Sequence, residues 1–285
     1  MTIDTTTTDA DIRDFVASIK KICESAPAPA AWTPTAPADD RNQQLRQRLT
    51  EAGWFDIAGE AGGAGILGPA AVELGRALAS VDLIDDLLGH GVALAGDLGG
   101  GIELARYRGP GDTVWLVGEH GVEVAEIVDA QPVSYIDAQA VAQITVGPAA
   151  PATLPGAAVD AWIAAMTGYF AGLTAGALEL TADYAEQRIA FGKPLTDLDA
   201  VAKKLADGAT ASEGLQMAAW RSPDEFVLRQ AGTAAFRVMR TCHQIIGALG
   251  FTLEYPLQRY SRRVEALRTW TPPMVTALIA ARADA

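Results

Sequence analysis

A few residues in this chain are of types, and at spacings, that could do chemistry. Arg188 heads the run Arg188-Ile-Ala-Phe191-Gly192-Lys193-Pro194. A guanidinium there can fork onto an anion. It can equally be a helix-end cation that favours the carbonyl dipoles. Gln244 heads Gln244-Ile-Ile-Gly247-Ala248-Leu-Gly250-Phe251. Its amide brings one acceptor and two donors, and glycine lets a backbone N–H approach an anion or a ring closely. The same segment also reads as a helix capped by Gly247. The acids are blander. Glu265 lies within four residues of Arg262, Arg263 and Arg268, an ordinary helix-surface arrangement, and Glu254 is placed to cap or to pair with Arg259 or Arg262. His90, His120 and His243 are far apart, and with Cys23 and Cys242 they form no zinc-like spacing.

The elements that must position these groups are mainly helical. Asp11 to Glu24 places Ile12, Phe15, Val16 and Ile19 on one face. A Pro/Ala linker, 27–37, precedes a second helix that starts at Asp39-Asp40 and stops at Gly53. A glycine-rich loop, 59–68, leads to a third helix from Pro69, and 83–98 is expected to be a fourth. GGG at 99–101 and GPG at 109–111 break the pattern. Short β-rich runs follow at 113–117, 122–128, 133–136 and 142–146, with a hairpin turn at 118–121. Helix returns from 158 to about 188, from 198 to 219, from the Ser222-Pro223-Asp224-Glu225 start to about Ile246, and from about Pro256 to Leu267. The fold class expected is therefore mostly α, in three parts: an N-terminal helical domain over 1–98, a short β domain over 99–156, and a C-terminal four-helix bundle over 157–285.

The chain's 285 residues carry 22 Lys and Arg against 35 Asp and Glu, a formal net charge of −13. This argues against a nucleic-acid binder, which needs clustered positive charge. The acidic, polar N-terminus does not read as a signal peptide, so a cytoplasmic location is expected. The uncharged stretch 161–178 just reaches the length of a membrane span. Its Ala, Gly and Thr content and acidic flanks favour a buried core helix instead. Gly168, Gly172 and Gly176 form a small-residue stripe along it, and an oligomer interface is expected there.

The segments around Arg188 and Gln244 resemble two stretches of the acyl-CoA dehydrogenases. The first is similar to their R-x-x-F-G-K-P segment. The second, continued by Glu254-Tyr255-Pro256 and by Arg259-Tyr260-Ser261-Arg262, is similar to their Q-I-x-G-G-x-G-(F/Y)-x-x-E-Y-P and R-x-x-R stretch. Leu49-Thr-Glu-Ala-Gly53-Trp54 and Gly62-Gly63-Ala-Gly65 resemble an N-terminal stretch of the same family, in the same order. The resemblance implies FAD as cofactor and dehydrogenation of an acyl-CoA. A base takes the α-proton of the thioester while a hydride leaves the β-carbon for the flavin. It implies that Arg188 and Phe191, with Gln244, Gly247 and Ala248, touch the ADP end of a FAD whose ring lies in a neighbouring subunit. Ala248 replaces the family's second glycine, and Asp199 stands where the family often has Gln.

Other parts of the family pattern are missing. The usual catalytic Glu falls at Thr271, followed by Pro272-Pro273. The alternative location near the start of the long helix, 159–165, holds only Asp160 among acids. The T-E-P-x-x-G-S-D stretch that holds the flavin ring is absent. No catalytic residue and no metal ligand is therefore expected in this chain. The pattern resembles the truncated, β-like subunit of actinobacterial α2β2 acyl-CoA dehydrogenases. A full-length partner subunit would supply the base and the flavin pocket, acting on a bulky, steroid-derived acyl-CoA. Two rivals stay open: a homo-oligomeric enzyme with a relocated base such as Asp160, and a scaffold that binds neither FAD nor CoA.

Overall fold

The computed structural model describes residues 8–26, 40–94, 103–106, 108–118, 121–137 and 141–283. Eight helices occur among them: α1 Asp9–Glu24, α2 Asp40–Glu51, α3 Gly63–Arg76, α4 Asp82–Asp85, α5 Gly156–Gln187, α6 Asp199–Ala219, α7 Glu225–Ile246 and α8 Leu257–Ala280. The strands are β1 Gly91–Leu94, β2 Glu103–Arg106, β3 Thr113–Gly118, β4 Gly121–Val133, β5 Val141–Val146, β6 Ala150–Pro151, β7 Leu154–Pro155, β8 Ile189–Ala190, β9 Lys193–Pro194 and β10 Arg282–Ala283. The fold is mostly helical with a short β region, as expected.

The central helix α5 is long and apolar enough to cross a membrane, but its most apolar window is wholly buried among other elements. It packs on α3 backbone to backbone. A Cβ built on Gly168 would overlap the Gly68 carbonyl oxygen, and one on Gly172 the Val72 carbonyl oxygen. A Cβ on Gly176 would lie 2.7 Å from the Tyr260 hydroxyl. The small-residue stripe expected to face another subunit is therefore spent inside the chain. Close backbone contacts also explain a second difference. The glycine-rich segment read as a loop before Pro69 is the first part of α3. Each helical Gly costs about 1 kcal/mol relative to Ala, and here Gly63 lets the helix start against the Ile57 carbonyl and Gly68 lets it lie against the Ala219 carbonyl at the end of α6.

Two more expectations are corrected. The helix over 83–98 is instead α4, a 3₁₀ turn at Asp86–Leu88, and strand β1. Gly89 at φ 92° reverses the chain between them, and residues 95–98 lie outside the described set. The last helix does not stop at Leu267 but continues through Pro272 and Pro273 to Ala280. An interior proline costs about 3 kcal/mol. Beyond Leu267, the residues Trp270, Met274, Val275 and Leu278 are all buried. At about 1.5–3 kcal/mol for each large apolar side chain, their burial outweighs the two prolines. The expected strand at 133–136 is also only the last residue of β4, because Tyr135 turns in to meet Trp270.

The sheet closes on itself. β3 pairs with both β1 and β4, giving the ring β3–β1–β2–β5–β4 with β6 added to β4. Its interior holds small and branched residues, among them Ala93, Ala105, Val114, Ala125 and Ile144. Three arginine–aspartate pairs fasten this barrel to the helices: Arg106–Asp85, Arg108–Asp86 and Arg263–Asp137. The N-terminal and C-terminal helices share one continuous apolar core.

Candidate functional site

The two segments singled out in sequence each close a long helix, the first at the end of α5 and the second at the end of α7. α5 ends as the Arg188 N–H donates to the Tyr184 carbonyl at 2.9 Å. The chain then makes a tight hairpin, β8 to β9, with Phe191 at φ 54° and Gly192 at φ 78°. A left-handed conformation is costly for a bulky aromatic residue. Phe191 is 93% exposed, and the hairpin holds the ring outward. The Arg188 side chain is also exposed.

α7 carries the second segment. Gln244 accepts a hydrogen bond from Lys204 Nζ at 2.8 Å, which sets the start of α6 level with the end of α7. Gly247 adopts φ 74°, which a larger residue would strain to reach, and starts a 3₁₀ turn over Gly247–Phe251. Ala248 is exposed on that turn. The His243 imidazole stacks on the Phe251 ring at 4.3 Å, and its partial burial pushes its pKa below the usual histidine range. Tyr184, one turn before Arg188, meets Tyr255 edge-on at 5.9 Å. This contact ties the α5 end to the Glu254-Tyr255-Pro256 turn. Arg188 and Phe191 thus lie where α5 ends, and Gln244, Gly247 and Ala248 where α7 ends, with a cation, an amide and an exposed ring among them. Such a set can hold an anionic, ring-bearing ligand, and it contains no carboxylate placed as a base.

The positions where a base was sought are elsewhere. Asp160 is held by Arg282 in a two-point contact of 2.6 and 2.9 Å near the C-terminus. Thr271 is buried, and its hydroxyl has no hydrogen-bond partner. On either side of it in the core lies a cluster that sequence reasoning missed. Asp85 and Arg106, each 1% exposed, pair at 2.8 Å. Trp162 Nε1 donates to the other Asp85 oxygen at 3.2 Å. The Arg106 guanidinium lies 4.3 Å over the Trp270 ring, and Trp270 Nε1 donates to the Tyr135 hydroxyl. Burial pushes the Asp85 carboxyl above the ordinary range, with Arg106 and Trp162 opposing. The signal available in sequence was faint: the Asp82-x-x-Asp85-Asp86 turn and the alternation Arg106-x-Arg108 on a strand.

Residues 163–225 match the acyl-CoA dehydrogenase C-terminal domain family. Acyl-CoA dehydrogenase FadE28 of Mycobacterium tuberculosis is 36% identical over 121 residues, which is 37% of this chain and 34% of that protein. The human mitochondrial short-chain specific acyl-CoA dehydrogenase is 34% identical over 103 residues, 32% of this chain and 25% of that enzyme. The matches thus span about a third or less of these relatives. In structure, the glutaryl-coenzyme A dehydrogenase glutaryl-CoA complex superposes with a TM-score of 0.67 at 14% identity, over 98% of this chain and 96% of that one. The chain has the acyl-CoA dehydrogenase fold. Two further structures share it: the Tcur3481–Tcur3483 steroid acyl-CoA dehydrogenase variant and the ChsE4–ChsE5 complex from Mycobacterium tuberculosis. Their TM-scores are 0.65 and 0.63, at 18% and 20% identity, over 96% and 98% of this chain and 99% and 97% of theirs. Within the acyl-CoA dehydrogenase pattern, Thr271 and the stretch 159–165 are where a base would stand. Here Thr271 and the residues of 159–165 other than Asp160 belong to a buried core with Trp162, Trp270, Asp85 and Arg106, while Asp160 is half-exposed.

Proposed function

We propose that this chain is the non-catalytic subunit of a FAD-dependent acyl-CoA dehydrogenase complex. It contributes the contacts to the ADP end of FAD, while a full-length partner subunit supplies the base and the flavin-ring pocket. The observation that carries this reading is a contrast between two regions. Arg188 and Phe191 are exposed on a strained hairpin where α5 ends, and Gln244 and Ala248 are exposed where α7 ends. At the base positions Thr271 and the neighbours of Asp160 are buried in the core, and Asp160 itself is half-exposed and paired with Arg282. Among the described residues the Arg188 guanidinium has no side-chain partner, so its charge is available to a ligand.

These residues fit the ADP end of a dinucleotide. The Arg188 fork suits a diphosphate, and a lysine would lose the second hydrogen bond. Gln244 has donors left after its oxygen takes Lys204. The methyl group of Ala248 is exposed, so it narrows the approach without filling it. FAD, when bound, would supply hydride acceptance from the acyl β-carbon. This chain's own part is binding and orientation: a cation on the diphosphate, an amide and an aromatic ring beside it, and no proton transfer. The steroid nature of the acyl group is proposed from one structure of this fold, the Tcur3481–Tcur3483 steroid acyl-CoA dehydrogenase.

A self-sufficient enzyme is disfavoured because Asp160 is spent on Arg282. The test is expression of the chain alone and together with full-length acyl-CoA dehydrogenase chains from its own genome. The reading expects a colourless chain alone, and a yellow, active complex with equal amounts of both subunits. Flavin and turnover in the chain alone would overturn it. A partner that binds FAD and turns over equally well without this chain would leave the chain a scaffold.

A further inference from the structure

A cleft of about 680 Å³ opens at the N-terminal end of α5, where α2, the turn after α4 and the barrel come together. Small-molecule sites have volumes of roughly 300–1,000 Å³. The cleft lies at the opposite end of the 32-residue α5 from Arg188. It is also separate from the buried core. Asp85 turns to Arg106 and Trp162, whereas its neighbour Asp86 lines the cleft and takes Arg46 and Arg108. One part of the lining is apolar, with Phe55, Leu87, Leu88 and Ala158. Trp115 stiffens it: its Nε1 donates to the Leu88 carbonyl at 3.0 Å, and its ring lies 4.9 Å from that of His90, another lining residue. A wall fixed in advance leaves less to be ordered when a ligand binds.

The other part of the lining is rich in donors. Arg46 is held by Asp82 and Asp86, with its guanidinium 5.6 Å over the Phe55 ring. Arg108 is held by the other Asp86 oxygen and lies flat on Gly91, where a Cβ would overlap its side chain. Both Asp86 oxygens are therefore taken. Asp82 also accepts from the Ser80 hydroxyl and the Asn42 amide. At the rim, Asp112 accepts the Gly109 N–H at 2.9 Å. The two guanidiniums stay 32% and 17% exposed, and each has five N–H donors, more than these acids occupy.

The start of α5 points the same way. Its first turn holds no acidic residue and no side chain caps it, and Pro155 and Ala158 bring that turn into the cleft wall. A helix N-terminus favours an anion. The chain as a whole carries −13, so an anion is held here by local donors and not by net charge. We infer that this cleft binds an amphipathic carboxylate. Its head sits on Arg46 and Arg108 beside the start of α5, and its apolar body lies on Phe55 and Leu88. A bare anion would leave the apolar wall wet, and an uncharged apolar ligand would leave the guanidinium donors unmatched.

The test is isothermal titration calorimetry of the full-length chain near neutral pH with octanoate, octan-1-ol and acetate. Octanoate is expected to bind at one site. Octan-1-ol and acetate should each bind at least about tenfold more weakly, because each lacks one half of the match. Arg108→Gln should weaken octanoate about tenfold and leave octan-1-ol within about twofold of wild type. Asp86→Asn removes the charge that both guanidiniums share, and should tighten octanoate at least about threefold. Opposite shifts in the two variants cannot both arise from misfolding. Absence of octanoate binding at millimolar concentration would overturn the inference. So would octan-1-ol or acetate binding as tightly as octanoate, or an octanoate affinity unchanged in both variants.

Discussion

Replacing Arg106 by methionine would remove one half of the sealed Asp85–Arg106 pair and leave the other half in the core. Both side chains are 1% exposed. Breaking such a pair from one side costs about 3–5 kcal/mol, because the remaining charge is buried without compensation. The contact with Trp270 is also lost, at about 2 kcal/mol for a desolvated cation over a ring. Methionine recovers about 0.3–1.5 kcal/mol of this through its sulfur. The loss near neutral pH should therefore be about 3.5–7 kcal/mol, a large part of the roughly 5–15 kcal/mol typical of a folded domain. The assay is urea unfolding followed by tryptophan fluorescence. The pH dependence adds a second check. Burial already raises the folded pKa of Asp85 above its unfolded value, and loss of Arg106 raises it further. Between the two values the folded chain holds a proton that the unfolded chain has given up. Stability of the variant should thus fall as pH rises through that window and return on acidification. Asp85→Asn in the same background should recover most of the loss, with the pH dependence gone. A variant within about 0.5 kcal/mol of wild type, or one that is more stable at high pH, would refute a buried charged pair.

Gly172→Val should destabilise the chain by about 1–3 kcal/mol or prevent folding, since the added atoms meet the α3 backbone; chemical denaturation measures it, and a neutral result would show that α3 and α5 are not in contact. Thr271→Ala should leave turnover of the complex within about twofold of wild type, because the hydroxyl is buried and makes no hydrogen bond; a hundredfold loss of kcat would make Thr271 part of the chemistry. Asp160→Asn should be equally mild in kcat and cost about 0–1 kcal/mol of stability, as expected for a half-exposed pair.

The long helices were legible in sequence because their signals are local and strong. α7 ends at Gly247, as its sequence indicates, and starts within the Ser222-Pro223-Asp224-Glu225 segment, although Asp224 rather than Ser222 is the N-cap. Elements stabilised by distant contacts were not legible. α8 runs through two prolines because Met274, Val275 and Leu278 are buried beyond them. The start of α3 reads as loop until the Ile57 and Ala219 carbonyls are placed against Gly63 and Gly68. Strand β1 reads as helix because four apolar residues carry no period of their own. The same division holds for the sites. Arg188 and Gln244 stand in recognisable segments, whereas Asp85 and Arg106 are ordinary charges until the barrel closes and puts them together.

The central claim is that Arg188 holds the ADP end of a FAD whose ring lies in the partner subunit. Its most direct test is the flavin content of the co-purified complex carrying Arg188→Ala, titrated with FAD. Loss of a charge-assisted contact is worth about 1.5–3 kcal/mol, so FAD affinity should fall roughly ten- to a hundredfold. Most of the turnover should return at saturating FAD, because no catalytic group is removed, and Arg188→Lys should recover only part of the affinity. Full FAD occupancy in the alanine variant at limiting FAD would contradict the account.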